Sequence, residues 1–247
     1  MVQLENSAGT TELMELSGDQ PRRSSLRTNG GEGHGAMDLL TLLRTVRVVP
    51  VVEIPEASVA VDLARTLVTS GLRCAEITFR TEAAASAIAS IVEHVPGIIV
   101  AAGTVLSVDQ ARAAQAAGAS FLVAPGLNEA VVAFALANGL SIVPGVATPS
   151  EVERAMTFGL SLLKLFPAEP LGGVEYLRAL AGPYKEVQFV PTGGINVDNL
   201  ASYLRMPNVA ACGGSWMVRS ELLAKRDFSK VAELTEQAVS VARSLGG

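Results

Sequence analysis

From Met37 onward eight apolar runs recur along this chain, their ends about 20 to 27 residues apart, each followed by a stretch of helical character. The runs are Val46 to Ile54, Cys74 to Arg80, Ile98 to Val105, Phe121 to Ala124, Ser141 to Gly145, Leu162 to Pro167, Val187 to Thr192 and Val209 to Gly213. Between them lie helical segments such as Glu56 to Ser70, Val108 to Ala117 and Pro149 to Phe158. A strand feeding a helix, repeated, has few stable solutions: the strands run parallel and the helices cover them. Eight such units fill residues 37 to 247 with nothing left over, which predicts an α/β fold of the (β/α)8 TIM-barrel type. The alternative, an open doubly wound sheet, usually announces itself by GxGxxG after its first strand, whereas Val46 to Ile54 leads into Pro55-Glu56. Composition agrees, since 49% of residues are apolar but only 4% aromatic, so the core must be built from Ala, Val, Leu and Ile.

Residues 1 to 36 stand apart. They are rich in Ser, Thr, Gly and Glu, close on Gly30-Gly31-Glu32-Gly33-His34-Gly35, and have no core-forming period or apolar signal region, which predicts a disordered leader. Its acidic residues Glu5, Glu12, Glu15 and Asp19 argue against an organelle transit peptide. No segment is long and apolar enough to span a membrane. The net charge of -5, with no basic cluster beyond Arg22-Arg23 and Arg27, leaves no electrostatic footprint for nucleic acid. Cys74 and Cys212 lack CxxC spacing and read as reduced core thiols of a cytoplasmic protein. With only His34 and His94 available, a histidine-cluster metal site is excluded, and neither a metal nor another cofactor is expected.

If the barrel is right, chemistry belongs at the C-terminal ends of its strands. Lys164 is one of four lysines and the only one inside an apolar run, Leu162-Leu163-Lys164-Leu165-Phe166-Pro167. A lysine so placed is paired, snorkels out, or gives up its proton and becomes a nucleophile. Parity points Leu162, Lys164 and Phe166 into the barrel. The same rule puts Glu76, Thr78 and Arg80 inside and Ala75, Ile77 and Phe79 against the helices, and Thr104 joins them from the third strand. Glu76 and Arg80 alone could be a structural pair. With Lys164 and Thr104 they form a convergent polar set, in which apolar walls and a nearby Arg80 would favour the free amine and Glu76 could carry protons.

The last two strands end in Pro191-Thr192-Gly193-Gly194-Ile195 and Cys212-Gly213-Gly214-Ser215-Trp216. A Gly-Gly pair can serve a tight turn alone, but two at these strand ends fit a phosphate held by backbone N–H groups, with Ser215 capping a short helix. Thr148-Pro149-Ser150-Glu151 reads as an ordinary helix start, and Trp216 as a packed side chain.

These residues resemble the 2-keto-3-deoxy-6-phosphogluconate (KDPG) aldolases, many of which also cleave 4-hydroxy-2-oxoglutarate (KHG). The resemblance runs through Val49-Pro50-Val51, Glu76-Ile77-Thr78-Phe79-Arg80-Thr81-Glu82, Gly103-Thr104-Val105-Leu106, Ala124-Pro125-Gly126-Leu127, Pro144-Gly145-Val146, Lys164-Leu165-Phe166-Pro167-Ala168-Glu169, Pro191-Thr192-Gly193-Gly194-Ile195 and Gly213-Gly214-Ser215-Trp216. It implies a class I aldolase in which Lys164 forms a Schiff base with pyruvate and Glu76 moves protons. It also implies carboxylate binding at Arg80 and Thr104, pocket walls at Pro125 and Phe166, and phosphate binding at Gly193, Gly194, Gly214 and Ser215. A keto-acid phosphate substrate and a homotrimer follow from the same resemblance. Related phosphogalactonate aldolases typically lack an arginine where Arg80 stands, which favours the gluconate branch. A barrel isomerase or epimerase and a phosphosugar-binding protein remain as competing readings, and the preference between KDPG and KHG stays open because both need Lys164, Glu76 and Arg80.

Overall fold

The computed structural model describes residues 38–245, so the leader expected over residues 1 to 36 lies outside the described residues. Each of the eight runs contains a parallel strand. These are β1 (Val48–Val52), β2 (Cys74–Thr78), β3 (Ile99–Gly103), β4 (Phe121–Val123), β5 (Ser141–Val143, resuming at Gly145–Val146), β6 (Leu162–Leu165), β7 (Gln188–Pro191) and β8 (Cys212–Gly214). The helices that return the chain between them are α2 (Ala60–Thr69), α3 (Ala84–His94), α4 (Val108–Ala116), α5 (Glu129–Ala137), α6 (Pro149–Thr157), α7 (Gly173–Ala181) and α8 (Val197–Leu204). After β8 come the short α9 (Ser220–Ala224) and the long α10 (Phe228–Arg243).

Neighbouring strands follow chain order, from β8 beside β1 round to β5, and again from β5 through β6 to β7. Bridges Phe189↔Val209 and Thr192↔Gly213 join β7 to the β8 segment and complete the ring. β5 is interrupted at Pro144, which has no N–H to give to a ladder. Its carbonyl still accepts from Lys164 N at 2.9 Å, and Val146 O accepts from Phe166 N at 3.2 Å, so β6 keeps its register past the break. Gly145 is required there, because a Cβ would lie 2.1 Å from the Pro125 carbonyl oxygen.

Alternation along the strands sorts side chains into two cores. Ala75, Ile77, Ala102, Leu163 and Leu165 face the helices, while Val49, Cys74, Ala101, Phe121, Val123, Val143 and Val190 fill the barrel. The helices carry local signals that match their position. Thr148 and Glu151 form a reciprocal capping box at α6, as expected of an ordinary helix start. Among the described residues no helix is long and apolar enough to cross a membrane.

One helix was not anticipated. α1 (Leu39–Val46) takes Val46 from the start of the first apolar run, and Asp38 caps it by accepting from Thr41 N at 3.1 Å. Arg47 then turns the chain with φ 62°, its N–H bonded to Leu43 O, and β1 begins one residue later. The helix is amphipathic, with Leu39, Leu40, Leu42, Leu43 and Val46 on one face, and its last residue runs directly into the apolar strand that follows. Leu43 is 1% exposed and packs into the interior core with Val49, Cys74 and Ala101, closing the end of the barrel where the strands begin. Truncation of this plug should leave a cavity at that closed end. Leu43→Ala is expected to lower stability by roughly 2 to 5 kcal/mol, read as a shifted urea midpoint; an unchanged midpoint would show that α1 contributes no packing there.

Candidate active site

Lys164 and Glu76 meet inside the barrel. Lys164 Nζ lies 3.2 Å from Glu76 Oε1, with the two side chains only 6% and 4% exposed. β2 and β6 deliver them by the same alternation that turns Ile77 and Leu163 outward. Each charge would be expensive alone in this apolar setting, and each is held by the other. Gly103 on β3 makes the room: a Cβ there would stand 2.2 Å from Glu76 Oε1. The Phe166 ring lies 5.7 Å from Nζ, between the amine and the barrel mouth.

Arg80 is not where strand parity puts it. β2 ends at Thr78, whose last ladder partner is Gly103, and Phe79 N then donates to Gly103 O at 2.7 Å as the chain turns. Arg80 falls in that turn and its Nη1 pairs with Glu53 Oε2 at 3.4 Å, both side chains nearly half exposed. Alternation holds only as far as the ladder that enforces it. Thr78 is satisfied by donating to Val52 O at 2.9 Å. Thr104 sits just past β3, half-buried, with φ 55°, a conformation that costs a β-branched residue energy and is commonly kept at functional sites. Among the described residues no hydrogen bond joins the Thr104 side chain to Lys164 or Glu76. Pro125 borders a separate surface cavity with Leu106, Leu127 and Asn128.

The remaining expected residues do assemble. A cavity of about 110 Å³ at the strands' C-terminal ends is bordered by Arg80, Phe166, Gly193, Gly194, Gly214 and Ser215. Gly193 and Gly194 take φ 101° and 84°, and a Cβ on Gly194 would come within 2.6 Å of the Glu169 side chain. On Gly214 it would come within 1.8 Å of the Trp216 ring, so the packing expected of Trp216 is what demands glycine beside it. Ser215 does not cap a helix. Its carbonyl accepts from Val218 N at 3.0 Å, and α9 starts later, at Ser220, with no side-chain cap.

Three residues of the site escaped the sequence reading. Glu53, at the end of β1, holds the Arg80 guanidinium, and a carboxylate closing an apolar strand was a visible signal. Glu169 N donates to Gly193 O at 3.0 Å, and the fully buried Tyr203 donates its hydroxyl to Glu169 Oε1. Burial, followed by the neighbouring carboxylate, pushes the Tyr203 phenol well above its usual range, so it remains a donor and braces the Gly193-Gly194 turn. Nothing in the sequence singles out Tyr203 on α8.

A closed parallel barrel with a buried amine and carboxylate beneath its C-terminal rim defines the class: a (β/α)8 enzyme with its site at the strand ends. The model of the KDPG and KHG aldolase family matches residues 39–234, and the chain belongs to that family. It is 53% identical over 199 residues to the 2-dehydro-3-deoxy-phosphogluconate aldolase of Treponema pallidum, covering 81% of this chain and 95% of that one. The crystal structure of KDPG aldolase from Legionella pneumophila, with pyruvate captured as a covalent carbinolamine, is 34% identical with a TM-score of 0.78, covering 81% and 97% of the two chains. That of Zymomonas mobilis with 3-phosphoglycerate is 37% identical with a TM-score of 0.77, covering 83% and 97%.

Both cysteines are buried free thiols, Cys74 within the barrel and Cys212 against the helices. Burial, and then the charge of Glu76, pushes Cys74 from 9.0 up to about 12, and burial pushes Cys212 up as well. Below the unfolded value both states are protonated, and only above it does the unfolded thiol ionise while the native one keeps its proton. The native protein at pH 9.5 is therefore expected to resist a thiolate-selective alkylating reagent at both positions, and to react at both once unfolded in urea. Modification of the folded protein at the rate of a free thiol would contradict this placement.

Proposed function

We propose that this chain is a class I aldolase that cleaves KDPG to pyruvate and glyceraldehyde 3-phosphate, and KHG to pyruvate and glyoxylate. The observation that carries the reading is the buried Lys164–Glu76 contact of 3.2 Å. A proton passed from Nζ to the carboxylate across that contact frees the amine without admitting water. The amine adds to the C2 carbonyl of the keto acid, and Glu76 returns the proton to the departing hydroxyl, which leaves as water. The resulting iminium is an electron sink. Glu76, again a carboxylate, takes the C4 hydroxyl proton, the C3–C4 bond breaks, and its electron pair flows to the iminium nitrogen to give an enamine. The aldehyde product departs, Glu76 protonates C3, and water releases pyruvate from Lys164.

Binding residues surround this pair in the same proposal. The Gly193-Gly194 and Gly214-Ser215 turns offer backbone N–H groups to the distal phosphate, with Glu169 and Tyr203 fixing the first turn. Arg80, released from its exposed pair with Glu53, takes the substrate carboxylate by charge-assisted hydrogen bonds. Thr104 assists at the carboxylate and Phe166 walls the pocket, whereas Pro125 lies on a separate cavity. The reading also carries a homotrimer and a cytoplasmic location.

Borohydride added with pyruvate is expected to raise the mass of Lys164 by one reduced pyruvyl group, located by peptide mapping. An unmodified Lys164 would return the buried pair to a purely structural role. Arg80→Ala tests the binding assignment, because KHG has a carboxylate at C1 but no phosphate. A carboxylate role predicts that kcat/KM falls by about tenfold or more for both substrates. A fall confined to KDPG would move Arg80 to the phosphate.

A further inference from the structure

A concentration of unpaired positive charge lies at the other end of the barrel. A cavity of about 400 Å³, within the size range of small-molecule sites, is lined by Arg44, Arg47, Arg73 and Arg243 together with apolar Leu72 and Val239. Its elements are the last turn of α1, the loop before β2 and the last turn of α10, so it opens where the strands begin, opposite Lys164. Among the described residues none of the four arginines is in an ion pair. Asp38, at the far end of α1, is held down chiefly by Thr41, with Arg44 the least of its causes.

One of the guanidinium groups is fixed by the fold. Arg47 adopts φ 62°, donates from Nη2 to Leu204 O at 2.8 Å, and keeps a buried Nε with no hydrogen-bond partner. An unpaired buried donor on a charged group is costly and calls for an acceptor. Arg243 lies against Gly71, whose φ is 94° and whose Cβ, were there one, would sit 3.2 Å from Arg243 Nη2. Like charges gathered around one cavity repel, and multiple anionic oxygens would relieve that repulsion while accepting the free N–H groups. The apolar walls suit a carbon frame.

We propose that this cavity binds a small organic polyanion, a phosphate ester or a polycarboxylate, at a site separate from the barrel mouth. The test is calorimetric titration of the full chain at low salt, with inorganic pyrophosphate as the phosphate probe and citrate as the carboxylate probe. Saturable binding of pyrophosphate alone assigns phosphate esters, binding of citrate alone assigns polycarboxylates, and binding of both assigns polyanions generally. In each case Kd is expected to weaken by about tenfold or more in Arg243→Gln and to be unchanged in Arg80→Ala. No saturable binding of either probe, equal affinity in Arg243→Gln, or a loss confined to Arg80→Ala would overturn the proposal. Pyruvate trapping on Lys164 in Arg243→Gln reads the mouth separately, so a failed aldolase reading and a failed distal site give different results.

Discussion

Two opposite charges inside an apolar barrel can be kept only against each other, and the pairing of Lys164 with Glu76 sets the terms for everything around it. β2 has to place a carboxylate at its third residue, which requires glycine at position 103 on the neighbouring strand. Across the barrel, β6 must hold its register although β5 is broken at Pro144, and the Pro144 carbonyl bonds the Lys164 backbone to do so. The glycines at 103 and 145 are therefore demands of packing around the pair and the break, not freedom for the chain to move. A barrel filled by Val49, Ala101, Phe121, Val143 and Val190 also excludes the water that would otherwise weaken the contact.

The two ends of the barrel divide the work. At the strand starts, α1 plugs the interior with Leu43, and the loops contribute arginines and apolar contacts. At the strand ends the rim turns through left-handed backbone, at Thr104 with φ 55°, which costs a β-branched residue energy, and at Gly193-Gly194, where glycine adopts it freely. The Gly193-Gly194 turn is tied to the segment after β6, with Ala168 N on Thr192 O and Glu169 N on Gly193 O. A preorganised rim of this kind costs stability that the plugged end and the helical shell must supply.

Most of the architecture was legible because each βα unit has to bury one face, and that requirement writes itself into the period of the sequence. The inward pair was legible for the same reason, since Glu76 and Lys164 break otherwise apolar strands at positions of matching parity. Arg80 was misplaced because parity was carried two residues beyond Thr78, where no ladder remains to impose it. Ser215 stands at the cavity as expected but caps no helix, because α9 begins only at Ser220. α1 was legible in its i, i+3, i+4, i+7 apolar pattern, but its last residue, Val46, also opens the first apolar run. Tyr203 was hidden by distance: its partner Glu169 is 34 residues away, and only the folded chain brings them together.

The displaced arginine changes how the lysine must be understood. Strand parity implied a cation beside Lys164 that would hold it as a free amine, leaving Glu76 as a separate proton carrier. The structure instead holds Arg80 on the rim of the mouth cavity, paired with Glu53, and leaves the buried amine and carboxylate alone together. On the proposed mechanism the two then act as one unit, because the proton that leaves the amine is the proton Glu76 later returns. It follows that the losses from removing Lys164 and from removing Glu76 are not additive: once either is gone, the other has no partner with which to exchange a proton.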